Sequence, residues 1–504
     1  MKNVAESQKE QTRSLTQSAR QGVIWTVLRT LSSQGARFLA SILLARLLFP
    51  EDFGIYGIVL IVTRFATRLG SFGFTQVLIQ QKMIDDAHIR TTFTVNLGIA
   101  TLTTVTLYIL APYISPYLLK EDDLGKLPLV VNVLRLLSVN FILIAFYSVP
   151  DSLLKRKLKF KQSSIIGIFG GVAKYLSPVI FAFLGFGVWS LVLGPVMGEL
   201  IYVIAFYTST RWVPRFGIQK QALKDIFSFG MWMNMYSYIQ YLYKNIDYFL
   251  ISNFLGLRLL GFYERAYNLM NTPRKRVGDM INNVMLATYS RIQDEDERMN
   301  NAMRKVMGTV ALIIFPAMIW LWFAAPSLIR FLYGEKWEGV VAPLQIMSVS
   351  GLIESVTMIY YPAFIARGMV KNRTRVHFIV LCVLGTALFF TARISIEMVA
   401  WTIVGVSAVG FILNSFEYMR HTRWRMSDVF KSLRPAIYLG LMLVAALYAV
   451  RELALNWLDI HSIYMLMALS AGAAVVYFGG NYLFKFAEVR EILALARGKK
   501  RRKA

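Results

Sequence analysis

Cysteine is almost missing from this chain. Cys382 stands alone among 504 residues, so no intramolecular disulfide can form and no thiolate metal cluster can be built. Histidine is nearly as scarce: His88, His377, His421 and His461 are scattered near predicted helix ends and form neither a catalytic nor a metal-ligating constellation. No stretch reads G-x-x-x-x-G-K-[ST], which argues against direct coupling to ATP. No polar loop between the apolar runs is long enough to be a catalytic domain, so a membrane enzyme such as a glycosyltransferase or polymerase is not expected. Acidic residues are also in short supply, 29 Asp and Glu against 55 Lys and Arg.

Long apolar runs are abundant. The chain is 56% hydrophobic with a mean hydropathy of +0.50, the composition of a polytopic membrane protein. A spanning helix needs about 20 residues, and fourteen candidates follow at 22–48, 53–79, 91–112, 128–149, 163–184, 187–208, 226–250, 260–287, 305–325, 342–366, 375–392, 397–418, 435–450 and 463–484. The expected fold is therefore all-α and polytopic. The first twenty residues are polar, and the first apolar run is too long and too charged for a cleavable signal, so it should persist as a signal anchor.

A net charge of +26 raises the question of nucleic acid, but the placement of the cations answers it. Most lie in the two tails and in loops after even-numbered spans, notably Lys155, Arg156, Lys157, Lys159 and Lys161, the run from Arg420 to Arg434, and Lys499-Lys500-Arg501-Arg502-Lys503. Loops on the other side, such as Pro50-Glu51-Asp52 and Lys120-Glu121-Asp122-Asp123, are balanced or acidic. By the positive-inside rule both termini are cytoplasmic, and the basic loops set topology and touch anionic headgroups instead of binding nucleic acid.

The chain also repeats itself. Leu43 to Tyr56 aligns with Leu250 to Tyr263 at an offset of 207, placing Arg37 over Lys244. Ala111-Pro112 falls on Ala325-Pro326 at an offset of 214, and Val149-Pro150 on Tyr361-Pro362 at 212. Six helices separate the copies, so both enter the membrane in the same sense, and two six-helix lobes related by a pseudo-two-fold axis along the membrane normal are expected around a central cavity. The implied organisation is a cytoplasmic tail at 1–21, an N-lobe at 22–210, a linker at 211–225, a C-lobe at 226–420, two appended spans within 421–484 and a basic cytoplasmic tail at 485–504. Gly167-x-x-x-Gly171 and Gly194-x-x-x-Gly198 supply small-residue faces for close packing. Pro178, Pro195, Pro273, Pro316 and Pro362 give places where spans can kink.

Charges inside the spans point to the cargo. Trp25, Arg29, Ser33 and Arg37 recur at steps of four and share a helix side, and Arg64 and Arg68 are again four apart. An arginine near a bilayer centre costs about 3 kcal/mol, so such residues need an internal cavity or an anionic partner. Arg29, Arg37, Arg64, Arg68, Lys244 and Arg274 are the candidate substrate-binding residues of a cationic transport cavity, with Arg135 and Lys174 also inside spans. Lys275 and Arg276 adjoin Arg274, so some of these three must reach the cytoplasmic vestibule or pair with Asp279 or Glu264. Glu199, Asp247, Glu264, Asp279, Glu354 and Glu417 are the membrane acids; most should neutralise cations, and one or two could bind a coupling proton or sodium ion. The excess of cations suits an anionic cargo, and arginine's planar fork can donate two hydrogen bonds to a phosphate. Trp232, Tyr236, Tyr238, Tyr241, Tyr243 and Tyr248 could stack on sugar rings, or simply anchor and pack the helix.

Ala45-Arg46-Leu47-Leu48-x-Pro50-x-Asp52-Phe53-Gly54, Gly73-Phe74 with Leu78-Ile79-Gln80-x-Lys82, Arg291-Ile292-Gln293-Asp294, and Gly334-Glu335-Lys336-Trp337 with Pro343-Leu344-Gln345 together resemble the polysaccharide transporter family. This family contains the O-antigen, colanic-acid and teichuronic-acid type flippases of the multidrug/oligosaccharidyl-lipid/polysaccharide exporter superfamily. The resemblance covers about residues 20 to 425. It implies a multi-pass protein of the bacterial inner membrane, a V-shaped two-lobe fold with a cationic cavity, and export of undecaprenyl-diphosphate-linked oligosaccharide to the outer leaflet by alternating access. It further implies work alongside a polysaccharide polymerase and chain-length machinery. No cofactor is expected, and coupling would be to a proton, a sodium ion or the membrane potential. Gly334 to Trp337 sit in a predicted outer loop and read as structural. The competing function is a cation-coupled multidrug antiporter of the same superfamily, which should carry membrane carboxylates in its first lobe, where this sequence has Glu199 alone against Arg29, Arg37, Arg64, Arg68 and Arg135.

Overall fold

A computed structural model describes residues 25, 28–30, 32–70, 78, 84–220, 241–243 and 245–484; the side chains of 68–70, 280, 283, 483 and 484 lie outside that description. The fold is all-helical, 87% helix with no strand among the described residues. In chain order the helices are α1 (residues 32–47, with helical residues at 25 and 28–30), α2 (Pro50–Gly70), α3 (Asp86–Ile114), α4 (Leu127–Arg156), α5 (Phe160–Phe183), α6 (Val188–Thr210) and α7 (Ile246–Phe254). They continue as α8 (Leu257–Ser290), α9 (Asp296–Leu332), α10 (Val341–Thr357), α11 (Tyr360–Ala366), α12 (Val370–Thr391), α13 (Ile396–Arg420), α14 (Met426–Leu455) and α15 (Ile463–Phe484).

Among the described residues, ten helical stretches are long and apolar enough to cross a bilayer. The fourteen spans read from the sequence do not all reach that standard. Most of 226–250 lies outside the described residues. The predicted span 53–79 falls on α2 and, beyond it, largely outside the described residues, while 260–287 falls on α8, whose charged residues dilute its apolar windows.

The helix ends show why the segments stop and start where they do. Asp85 caps α3 by accepting the His88 amide at 2.8 Å, and Ser395 caps α13 by accepting the Met398 amide at 3.3 Å. Asp123 accepts the Leu257 amide at 2.9 Å, satisfying one orphan donor at the start of α8. The Phe53–Gly54 stretch of α2 packs tightly there too: a Cβ on Gly54 would lie 1.9 Å from the Leu257 carbonyl oxygen. Only glycine permits that approach.

Two compact units divide the chain, Met1–Leu260 and Gly261–Ala504. The internal repeat is visible in their element bounds. A short 3-10 helix, Glu121–Lys126, leads directly into α4, and its counterpart Glu335–Val340 leads into α10 at the same offset of 214. α2 and α8 begin 207 residues apart, and α5 and α12 begin 210 apart. α14 and α15 extend the second unit beyond the repeat and pack on α9 through Phe323, Ala324, Leu443, Leu447, Met465 and Leu469.

The two copies treat their matched prolines differently. Pro150 sits inside the unbroken α4, and the Phe146 carbonyl that it leaves unbonded accepts the Tyr207 hydroxyl at 3.2 Å. In the second unit the chain breaks between α10 and α11, and the Met358 carbonyl accepts the Tyr361 amide at 3.3 Å in place of the N–H that Pro362 lacks. Pro178, Pro195, Pro273 and Pro316 all lie inside continuous helices.

Gly334-Glu335-Lys336-Trp337 is structural, as its loop position suggested. Gly334 takes φ +90°, and Trp337 is fully buried against Phe262 and Tyr333 with the Arg265 guanidinium 5.9 Å from its ring centre.

Candidate functional site

In the first unit, α1 presents its four-residue ladder to α5. Lys161 Nζ lies 5.5 Å from the centre of the Trp25 ring. A Cβ on Gly167 would lie 2.2 Å from Arg29 Nε, and one on Gly171 would lie 2.7 Å from Ser33 Oγ. Steps of four on α1 thus mesh with steps of four on α5, and the missing Cβ atoms of Gly167 and Gly171 make the room. Arg29 also interacts with the Tyr202 hydroxyl, which itself donates to the Gly167 carbonyl at 3.1 Å. Its guanidinium is therefore wedged between α5 and α6.

The second glycine pair forms the adjoining seam. A Cβ on Gly194 would come within 2.1 Å of Pro178 Cγ, and one on Gly198 within 2.6 Å of Lys174 Cβ. This close approach brings Lys174 Nζ to 2.5 Å from Glu199 Oε1, while the Tyr147 hydroxyl donates to Glu199 Oε2 at 2.9 Å. Glu199 is buried at 3% exposure, and Tyr147, Tyr202 and Phe206 stack beside it with ring centres 5.4 to 6.4 Å apart. A buried carboxylate with a cation and a hydroxyl on its two oxygens is satisfied. Glu199 is accordingly already neutralised by its own chain.

Arg37 on α1 and Arg64 on α2 are different. Both side chains are exposed, and among the described residues neither has a hydrogen-bond or ion-pair partner. Each sits on an apolar helix: Phe38 and Leu39 beside Arg37 are exposed while Ala40 and Leu44 are buried further along α1, and Ile58, Val59 and Ala66 are buried along α2. Arg68 lies on α2 with its side chain outside the description, and Lys244 is outside the described residues. Arg135 donates from Nε to the Tyr108 carbonyl at 3.2 Å and stacks 4.5 Å from the centre of that residue's ring.

In the second unit Arg274 pairs with Glu354 on α10 and donates to Asn271 Oδ1. Ser407 on α13 donates to Glu354 at 2.9 Å, completing a three-helix network. Of the three neighbouring cations, Arg274 thus takes its carboxylate from another helix; Asp279 and Glu264 stand five and ten residues from it on α8, whereas neighbours on a helix face are three or four apart. Glu417, 4% exposed, accepts from Asn372 at 2.6 Å and lies 3.4 Å from Arg375. These pairings were hidden from the sequence because each joins residues tens of positions apart.

A family described as polysaccharide biosynthesis protein matches residues 43–342. The succinoglycan biosynthesis transport protein ExoT of Rhizobium meliloti (strain 1021) is 25% identical over 492 residues, covering 95% of this chain and 96% of its own length. The lipopolysaccharide biosynthesis protein WzxC of Escherichia coli (strain K12) is 25% identical over 349 residues, 68% of this chain and 69% of its own. Among solved structures, the lipid II flippase MurJ in an inward closed conformation superposes with a TM-score of 0.71 at 14% identity, covering 93% of this chain and all of that one. That likeness establishes a shared fold.

Proposed function

This chain belongs to the polysaccharide biosynthesis protein family, and from that premise we propose that it flips undecaprenyl-diphosphate-linked oligosaccharide from the cytoplasmic to the outer leaflet of the bacterial inner membrane. It acts as a transporter, not an enzyme, with both termini in the cytoplasm. Relatives named for polysaccharide transport and biosynthesis, and a fold shared with a lipid II flippase, support the reading.

The observation that carries it is the contrast within the first unit. Glu199 is matched by Lys174 and Tyr147, whereas Arg37 and Arg64 are exposed cations on apolar helices without partners among the described residues. Cations so placed in a bilayer call for an anion, and a diphosphate offers oxygens for each guanidinium. A drug antiporter would need the opposite, a membrane carboxylate left open to bind a cationic cargo. Alternating access moves the cargo through a cationic cavity, and the outward step of an anion gains about 2.3 kcal/mol per charge per 100 mV from the membrane potential. A proton or sodium ion could supply further coupling.

The test is the leaflet distribution of lipid-linked oligosaccharide in cells without the protein and in cells carrying Arg37→Gln or Arg64→Gln. Accumulation on the cytoplasmic leaflet in all three, with normal amounts of each variant in the membrane, is the expected result. Normal outer-leaflet lipid together with altered sensitivity to cationic dyes would replace this function with drug export.

A further inference from the structure

A cavity of about 490 Å³ opens at one end of the first unit, where the start of α3, the end of α4, the start of α5 and the end of α6 converge. Five cations line it: Arg90, Lys157, Lys159, Arg211 and Arg215. Asp86 pairs with Arg90 and lies 3.7 Å from Arg215, so two of the five share one carboxylate. Lys157, Lys159 and Arg211 have no ion-pair partner among the described residues. Three exposed cations without ion-pair partners lining one cavity give it a positive potential that attracts an anion.

The backbone is bent to produce this arrangement. Among the described residues, only Leu158 and Arg211 are non-glycine residues with positive φ, +55° and +51°; Arg211 lines this cavity, and Leu158 stands in the chain between its lining residues Lys157 and Lys159. Leu158 occupies the left-handed position of a Schellman turn closing α4: its amide bonds Lys155 O at 3.0 Å, and the Lys159 amide bonds Leu154 O at 2.9 Å. The second unit builds the same turn with glycine, Gly368 at φ +69°, its amide on Ile365 O and the Met369 amide on Phe364 O. Where the second copy uses the unstrained residue, the first tolerates about 1 kcal/mol of left-handed strain between two cavity lysines.

The remaining walls suit an amphiphile. Pro150, Leu153, Leu154 and Ile89 are apolar. Trp212 is held edge-on to Phe93 at 5.2 Å and Tyr207 at 5.8 Å. The segment after it is strapped to α3 by the Gly217 amide on Thr94 Oγ1 at 3.0 Å and the Gln219 amide on Thr91 Oγ1 at 3.1 Å. Lys159 is the N-cap of α5, so amides at the positive end of that helix add to the field.

We propose that this cavity binds the phosphate of an anionic phospholipid headgroup, with Lys157, Lys159 and Arg211 as its ligands and the apolar wall receiving the glycerol and proximal chain. The site is separate from the transport residues above and does not depend on which cargo is moved.

Native mass spectrometry of the full-length protein, titrated with phosphatidylglycerol, phosphatidylcholine or inorganic pyrophosphate, tests it. Wild type should retain phosphatidylglycerol about tenfold more strongly than phosphatidylcholine. The triple variant Lys157→Gln, Lys159→Gln, Arg211→Gln should lose that preference. Arg211→Gly, which removes one charge while relieving its backbone, should weaken it with no loss of thermal stability, and Leu158→Gly should keep it. A triple variant that binds like wild type, or an equal loss when Lys499, Lys500 and Lys503 are neutralised instead, would overturn the site. Uptake of pyrophosphate with no phosphatidylglycerol preference would assign the cavity to a soluble phosphate and overturn the lipid assignment.

Discussion

Replacing Lys174 by methionine should destabilise the first unit through Glu199. The substitution preserves most of the side-chain length but removes the ammonium 2.5 Å from Glu199 Oε1, leaving a carboxylate at 3% exposure with the Tyr147 hydroxyl as its remaining partner. Breaking a fully buried ion pair costs about 3–5 kcal/mol. Lys174's side chain is 35% exposed, so water already screens part of the attraction, and about 2 kcal/mol is the working figure. Glu199→Gln keeps an acceptor for Tyr147 and leaves Lys174 partly solvated, so its cost should be smaller, about 1 kcal/mol. The double variant should then lose less than the two singles together, with a coupling of about 1–2 kcal/mol. Thermal unfolding of detergent-purified protein, followed by helical circular dichroism, reads this as a fall of roughly 4–8 °C for Lys174→Met, largely restored by adding Glu199→Gln. Strictly additive losses would show that the two groups do not stabilise each other and would refute the pairing.

Packing and capping make further predictions. Gly194→Val drives a methyl into Pro178, 2.1 Å from where a Cβ would stand, and should cost about 3 kcal/mol with loss of folded protein on size exclusion, whereas Gly35→Ala meets nothing within 4 Å and should be neutral or stabilising. The Asp85 carboxyl is held below its ordinary value of 3.8, first by the His88 amide and then by the His88 ring. Because the folded value is the lower one, the cap's contribution is complete above about pH 3.8 and disappears as pH falls through the folded value. Amide exchange in the first turn of α3 should therefore stay protected at pH 5, and Asp85→Asn should make that protection independent of pH across the acid range; equal pH dependence in wild type and variant would exclude the carboxyl as its source.

Local pattern was enough to determine the helical class, most of the helix positions and the repeat. Each depends on properties carried by neighbouring residues: apolar run length, loop charge and a recurring order such as Leu43–Tyr56 over Leu250–Tyr263. The glycine faces were legible for the same reason, since i and i+4 must share a helix side whatever lies opposite. What lay opposite was decided by tertiary structure. Arg29 and Arg37 belong to one sequence ladder, yet Arg29 is wedged beside Gly167 and Tyr202 while Arg37 is exposed. Arg274 finds Glu354, eighty positions on and on another helix. Leu158 reads as an ordinary apolar residue in a basic loop until the backbone places it at φ +55° between two lysines that line a cavity. A charge's worth depends on its distance from other charges and on the water around it, and both are properties of packed helices that no single stretch of sequence contains.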